Sequence, residues 1–160
     1  PSYGALRGTL SDSTFAGEVP GSDKRFSFAV PLCASSKTLC VFEAAIDALS
    51  YLTLLKLHGQ NWRAANTLSL SGIYQSRKDG SMRFPAALEQ YLKNNPCVER
   101  IVLCLDNDEP GRAASAAIQK ELSEYEVIDN PPRSGKDYND QLQIVKGIRG
   151  RVRTRGGEAR

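Results

Sequence analysis

Four short apolar runs, each followed by a stretch of helical periodicity, constrain this chain more than any other feature. Leu39-Cys40-Val41-Phe42 is uninterrupted in the manner of a strand buried on both faces of a sheet. Residues 67–70, 100–105 and 126–128 read as three further strands, the clearest being 100–105. Residues 44–57, 84–94, 110–124 and 138–148 read as helices, the first stopped by Gly59 and the second by Pro96. Such alternation implies βαβ units, so the expected class is α/β: a doubly wound, mainly parallel sheet with helices on both faces. Ile46, Leu49, Leu52 and Leu57 are the expected core stripe of the first helix. Residues 1–37 are rich in Ser, Gly and Thr. Their Pro20-Gly21-Ser22-Asp23 turn, followed by alternating Phe26, Phe28 and Val30, predicts a small N-terminal β-hairpin extension.

The 160 residues, 41% of them hydrophobic, suffice for one domain with a real core. No apolar run exceeds strand length, which excludes a transmembrane helix, and no membrane partner is expected. Cys33, Cys40, Cys97 and Cys104 form no closely spaced pair, and the single His58 cannot complete a zinc site. Free cysteines inside strand-like runs point to a reducing, cytoplasmic setting. His58, without an evident Cys or Ser partner, reads as a surface residue at a helix end. The chain opens on Pro1-Ser2-Tyr3 without Met or leader, so it is expected to be a piece of a longer protein.

The formal net charge is +3, with 21 basic and 18 acidic residues. Residues 146–160 hold six bases and one acid, which leaves 15 bases and 17 acids in residues 1–145, a net of −2. The basic end has no apolar periodicity. It reads either as a disordered arm for nucleic acid or as a solvated terminus.

Acids stand where the strands end. Glu43 follows the first strand, with Asp47 one helical turn beyond it. Asp106-Asn107-Asp108 follows the clearest strand, and residues two apart in extended chain point the same way. Lys136-Asp137-Tyr138-Asn139-Asp140 follows the fourth. Ligands in such sheets bind beyond the carboxyl ends of the strands, so three separate strand ends deliver acids to one rim. Converging carboxylates repel unless a cation neutralises them, and hard oxygen donors without His or Cys select Mg²⁺ or Mn²⁺. Such a centre suits phosphoryl or nucleotidyl transfer. A strand-end acid is also a good helix N-cap, and Asp108, two residues before Pro110, fits that role as well.

Three motifs now stand together: Val41-Phe42-Glu43-Ala44-Ala45-Ile46-Asp47-Ala48-Leu49, Val102-Leu103-Cys104-Leu105-Asp106-Asn107-Asp108-Glu109-Pro110-Gly111-Arg112, and Gly135-Lys136-Asp137-Tyr138-Asn139-Asp140. In this order they resemble the motifs of a toprim domain, the fold shared by bacterial primases, type IA and II topoisomerases, recombination mediators and a group of nucleases. The resemblance covers about residues 38–145, leaving 1–37 as an N-terminal extension and 146–160 as a basic tail. The Phe-Glu-Ala-x-Ile-Asp-Ala wording is most similar to primase-like toprim proteins of plasmids and integrative mobile elements. Those act beside relaxases, and their toprim domain usually follows a zinc-binding segment.

The resemblance implies a Mg²⁺- or Mn²⁺-dependent domain acting on nucleic-acid phosphates, single-stranded DNA above all, in replication or mobilisation. Relaxase, helicase or zinc-binding segments would be its partners in the parent protein. Glu43 matches the family's acid/base or metal ligand, and Asp106 and Asp108 match its magnesium pair. Asp47 and Asp137 match acids serving a second metal. Asn139 stands where many primases carry aspartate, leaving Asp140 as the substitute, and Ala44 stands where glycine is common. Lys136 is a candidate for stabilising phosphoryl charge. Arg112, a cation in a first helical turn, calls for an anionic partner, for which phosphate is one candidate and the alternative is a plain surface residue. Lys24, Arg25, Arg77 and Lys78 are candidate backbone contacts, set against the plainer reading of charged surface loops. Primer synthesis is the leading activity. A metal-dependent nuclease and a non-catalytic nucleic-acid-binding module are the alternatives.

Overall fold

The computed structural model describes residues 2–7, 16–72 and 84–148. In chain order the elements are β1 (Ala5–Arg7), β2 (Ala16–Glu18), a 3₁₀ turn (Lys24–Phe26), β3 (Ala29–Val30), β4 (Thr38–Phe42), α1 (Ala45–Leu57), β5 (Asn66–Ser69), α2 (Ala86–Asn94), β6 (Arg100–Leu103), α3 (Glu109–Glu121), β7 (Glu126–Asp129) and α4 (Tyr138–Val145). The α/β expectation holds. Five strands form one sheet in the order β3-β5-β4-β6-β7, with only β3 antiparallel.

Register explains the two-sided core. Val41 of β4 lies opposite Leu68 of β5 and Leu103 of β6. These side chains, with Leu39 and Ile101, pack on one face against Ala87 and Leu88 of α2 and Ala114 and Ile118 of α3. The alternate residues Cys40, Phe42 and Cys104 face the other way, against Ala48 and Leu54 of α1 and Tyr138 and Leu142 of α4. Every residue of the run 39–42 is thus buried, as an unbroken apolar strand requires. Phe42, Tyr51 and Tyr138 form an aromatic triangle with ring centroids 5.0 to 5.9 Å apart, joining β4 to α1 and α4.

Three local expectations are corrected. The hairpin is built from β1 and β2, whereas Lys24–Phe26 makes a 3₁₀ turn and only Ala29–Val30 is strand. That strand pairs with β5, so the N-terminal extension supplies an edge to the main sheet. The third correction concerns α1: Leu52 is buried, but Ile46, Leu49 and Leu57 are 54%, 46% and 53% exposed. The buried face is instead Asp47, Ala48, Ser50, Leu52 and Leu54. This helix is apolar nearly all round, so periodicity cannot choose its inner face. Ala48 packs on the sheet, Ser50 donates to Asn139 Oδ1 of α4 at 3.4 Å, and Asp47 is turned inward with them.

The basic residues 149–160, and Arg77 and Lys78, lie outside the described residues. None of the described helices is long and apolar enough to cross a membrane.

The rotation of α1 predicts an asymmetry measurable by chemical denaturation. Leu54→Ala should cost about 2–5 kcal/mol, the usual penalty for truncating a buried leucine. Leu49→Ala should stay within about 1 kcal/mol, because its side chain is half in solvent already. Equal losses would place Leu49 in the core.

Candidate metal and phosphate site

Since β4 lies between β5 and β6, the chain crosses from one side of it to the other, and the carboxyl end of β4 is the switch point at which ligands bind in such sheets. Glu43 leaves β4 at this edge, half-buried, and its carbonyl accepts from the Gly72 N–H at 3.0 Å and the Ser69 hydroxyl at 3.3 Å. These bonds tie the turn after β4 to the end of β5.

Asp47 sits in the first turn of α1, almost fully buried, and its Oδ1 accepts from the backbone N–H of Asn139 at 3.1 Å. Burial pushes its carboxyl up to about 7, and the neighbouring Asp137 and Asp106 carboxylates add to that rise. The Asn139 N–H and the Lys136 charge act in the opposite direction.

Beyond β6, buried Asp106 and partly exposed Asp108 share one cation. Lys136 Nζ lies 3.2 Å from Oδ2 of each. Desolvation raises the Asp106 carboxyl, against the pull of Lys136. Asp108 is held below the usual carboxylate range, chiefly by the Gly111 N–H, which donates to its Oδ1 at 2.9 Å. Both carboxylates hold the Lys136 ammonium well above its ordinary value. Asp108 is therefore N-cap of α3 and ion-pair partner at once, so the two sequence readings of this residue are compatible.

Two glycines allow the close approaches. A Cβ at Gly111 would stand 2.1 Å from the Asp106 carbonyl oxygen. At Gly135, φ is +79°, and a Cβ would stand 2.5 Å from Cβ of Asp140. The loop carrying Lys136 is further fixed by the Asn107 N–H, which donates to the Lys136 carbonyl at 2.7 Å. Asp137 caps α4 by accepting from the Asp140 N–H at 2.7 Å, and Asp140 Oδ2 accepts from the Lys136 N–H at 3.3 Å.

Of the acids singled out by the sequence, Asp47, Asp106, Asp108 and Asp137 therefore act on one another or on Lys136 electrostatically. Asp140 braces the Lys136 loop, and Glu43 occupies the same sheet edge. Among the described residues, no three His, Cys, Asp or Glu side chains form a ready-made metal cage. The hard oxygen donors of Asp106 and Asp108, with one cationic nitrogen between them, nevertheless match a Mg²⁺ or Mn²⁺ ion that keeps several waters.

Among the described candidate phosphate-binding cations, Arg112, Lys24 and Arg25 have intrachain partners. Arg112 donates to the carbonyls of Leu105 and Asp106 at 3.0 and 2.9 Å and pairs with Asp129 Oδ2 at 2.6 Å. The anionic partner that its helix-start position demands is thus Asp129, helped by strand-end carbonyls. Asp129 is the residue the sequence reading missed. It lies one position past the expected strand 126–128, and only the pairing of β6 with β7 brings it to Arg112. Lys24 pairs with Glu18, and Arg25 with Asp23.

The Toprim-like family model matches residues 40–142, and the chain belongs to that family. Among solved structures it is similar to the primase fragment of the bacteriophage T7 primase-helicase protein, at 18% identity and a TM-score of 0.45. The match covers 73% of this chain and 42% of that one, so this chain spans less than half of that fragment. No curated protein sequence matches significantly.

Asp47 gives the apo protein a pH signature. Its folded pKa of about 7 exceeds the ordinary 3.8, so between those values the folded state binds more protons than the unfolded chain. Stability in EDTA should fall as pH rises through that window. Asp47→Asn keeps an acceptor for the Asn139 N–H and removes the charge. It should stabilise the protein at pH 8 by on the order of 1–3 kcal/mol and leave it nearly unchanged at pH 4. A pH-independent difference in melting would remove this assignment.

Proposed function

We propose that this chain is the metal-dependent catalytic toprim domain of a primase-like protein of a mobile element, acting on nucleic-acid phosphates, with single-stranded DNA as template. The observation that supports this reading most is the shared cation. Two strand-end carboxylates stand on either side of one ammonium, in a chain whose motifs fall inside the family match.

In this proposal Asp106 and Asp108 hold a Mg²⁺ or Mn²⁺ ion, with Asp47 and Asp137 as the neighbouring acids of the same centre. Such an ion supplies Lewis-acid polarisation of a phosphoryl oxygen. Glu43, at the sheet edge, is assigned the proton of the attacking hydroxyl. Lys136 neutralises the carboxylate pair in the apo protein. Once released from the pair, its ammonium is free to pair with phosphoryl oxygens as their charge grows. Relaxase, helicase or zinc-binding segments belong to the parent protein in this reading.

Metal competition tests it. Millimolar Mn²⁺ should raise the melting temperature of the wild type, because a ligand that binds only the folded state stabilises it. Asp106→Asn/Asp108→Asn should abolish the rise. Lys136→Met should enlarge it, because the competing ammonium is gone while the carboxylates remain. A rise unchanged in all three proteins would remove the site. In the full-length protein, Glu43→Gln should lower primer synthesis by about 10² to 10⁴. Cleavage in place of synthesis would make the domain a nuclease, and metal binding without either activity would make it a binding module.

A further inference from the structure

A cavity of about 550 Å³ is walled by the C-terminal half of α1, by α4 and by the loop that follows β7. Its far end is remote from the carboxylate pair: His58, which ends α1, stands eleven residues after Asp47, about 16 Å along the helix axis. Where the two helices meet, the rings of Tyr51 and Tyr138 are in edge contact, 5.0 Å between centroids. Leu54, Leu55 and Val145 give the wall an apolar part, and Val145 is 49% exposed.

Part of the polar lining is already satisfied. The Tyr138 hydroxyl donates to the Asn130 carbonyl at 2.8 Å and accepts from Asn130 Nδ2 at 3.0 Å. Gln141 Oε1 accepts from the Arg133 backbone N–H at 2.8 Å. These bonds tie the loop to α4 and hold Arg133 at the cavity. The Arg133 guanidinium itself has no ion-pair or hydrogen-bond partner among the described residues, whereas Arg25, Arg100 and Arg112 each pair with an acid. The Tyr51 hydroxyl and the His58 imidazole also have none among the described residues. No Asp or Glu stands among the described wall residues, so the one permanent charge of the lining is positive and uncompensated there.

We propose that this cavity binds a monocarboxylate with an apolar body, its head on the Arg133 guanidinium and its body against Leu54, Leu55 and Val145. Four features select this class. The sign of the charge calls for an anion. The guanidinium fork matches the two oxygens of a carboxylate through parallel N–H bonds. One permanent cation balances one negative charge, whereas a phosphate ester, with close to two at neutral pH, would be left half compensated. The apolar wall rewards a hydrocarbon body and gives a purely polar anion nothing. The Tyr51 hydroxyl and the His58 ring are further donors for the head, and the volume is that of a small-ligand site. The inference is independent of the metal centre and goes beyond it. Such a carboxylate comes either from a free small acid or from the C-terminus of a peptide whose last side chain is apolar.

The test is run in EDTA by heteronuclear NMR, following the amide signals of Arg133, Gln141 and Val145 as isocaproate is added. The wild type should show saturable shifts at millimolar isocaproate. Acetate, which lacks the body, and isocaproamide, which lacks the charge, should each bind weaker by about tenfold or more. Arg133→Met should weaken isocaproate by about tenfold or more, with the melting temperature kept, because the guanidinium is exposed and the backbone bond to Gln141 survives. Arg133→Lys keeps the charge without the fork, so its affinity should fall between the two and exclude misfolding as the cause of the loss. Glycylglycylleucine separates the sources: binding tighter than isocaproate assigns the cavity to a peptide terminus, and weaker binding or none assigns it to a free acid. No saturable shift with isocaproate, equal binding of the amide, an affinity untouched in Arg133→Met, or tighter binding of isopentyl phosphate than of isocaproate overturns the site.

Discussion

The structure turns on electrostatic repulsion at one sheet edge. Asp47, Asp106, Asp108 and Asp137 are delivered there by α1, by the end of β6 and by the start of α4, and the first two are almost fully buried. Buried carboxylates this close cannot all stay ionised without compensation. The protein compensates in three ways: Lys136 bridges Asp106 and Asp108, backbone N–H groups point at Asp47, Asp108 and Asp137, and Asp47 takes up a proton near neutrality. Each device constrains chain geometry. The Lys136 loop turns through left-handed Gly135, and α3 starts against the Asp106 carbonyl only because residue 111 lacks a side chain.

Much of this was legible in the sequence, for a definite reason. An unbroken apolar run such as 39–42, alternating with helical segments, fits a parallel strand covered on both faces, and that places the edge at which the next residue emerges. Glu43, Asp106 and Asp137 could be placed at one rim from that argument alone. The inner face of α1 could not. With Ile46, Leu49, Leu52, Leu54 and Leu57 spread around the helix, the inner face is the one on which Ala48 meets the sheet and Asp47 and Ser50 bond to Asn139, 92 residues from Asp47. The partner of Arg112 was hidden for the same reason. Asp129 comes near it only through the register of β7 on β6, a long-range pairing that no local window contains. The Phe26–Val30 alternation misled: Phe26 and Phe28 are exposed, and only the last two residues found a strand to pair with.

The N-terminal segment acquires meaning from this arrangement. It pairs with β5 through β3 and brings Phe26 and Phe28 to the turn that carries Glu43.

The central claim is that Asp106 and Asp108 form a cation site held by Lys136 until a divalent ion takes its place. Anomalous diffraction at the manganese edge, from crystals equilibrated with and without Mn²⁺, tests it most directly. The account predicts a single strong peak beside the Asp106 and Asp108 carboxylates, with the Lys136 side chain swung away from them. Lys136 still bridging both carboxylates, with manganese elsewhere or absent at saturating concentration, would contradict it.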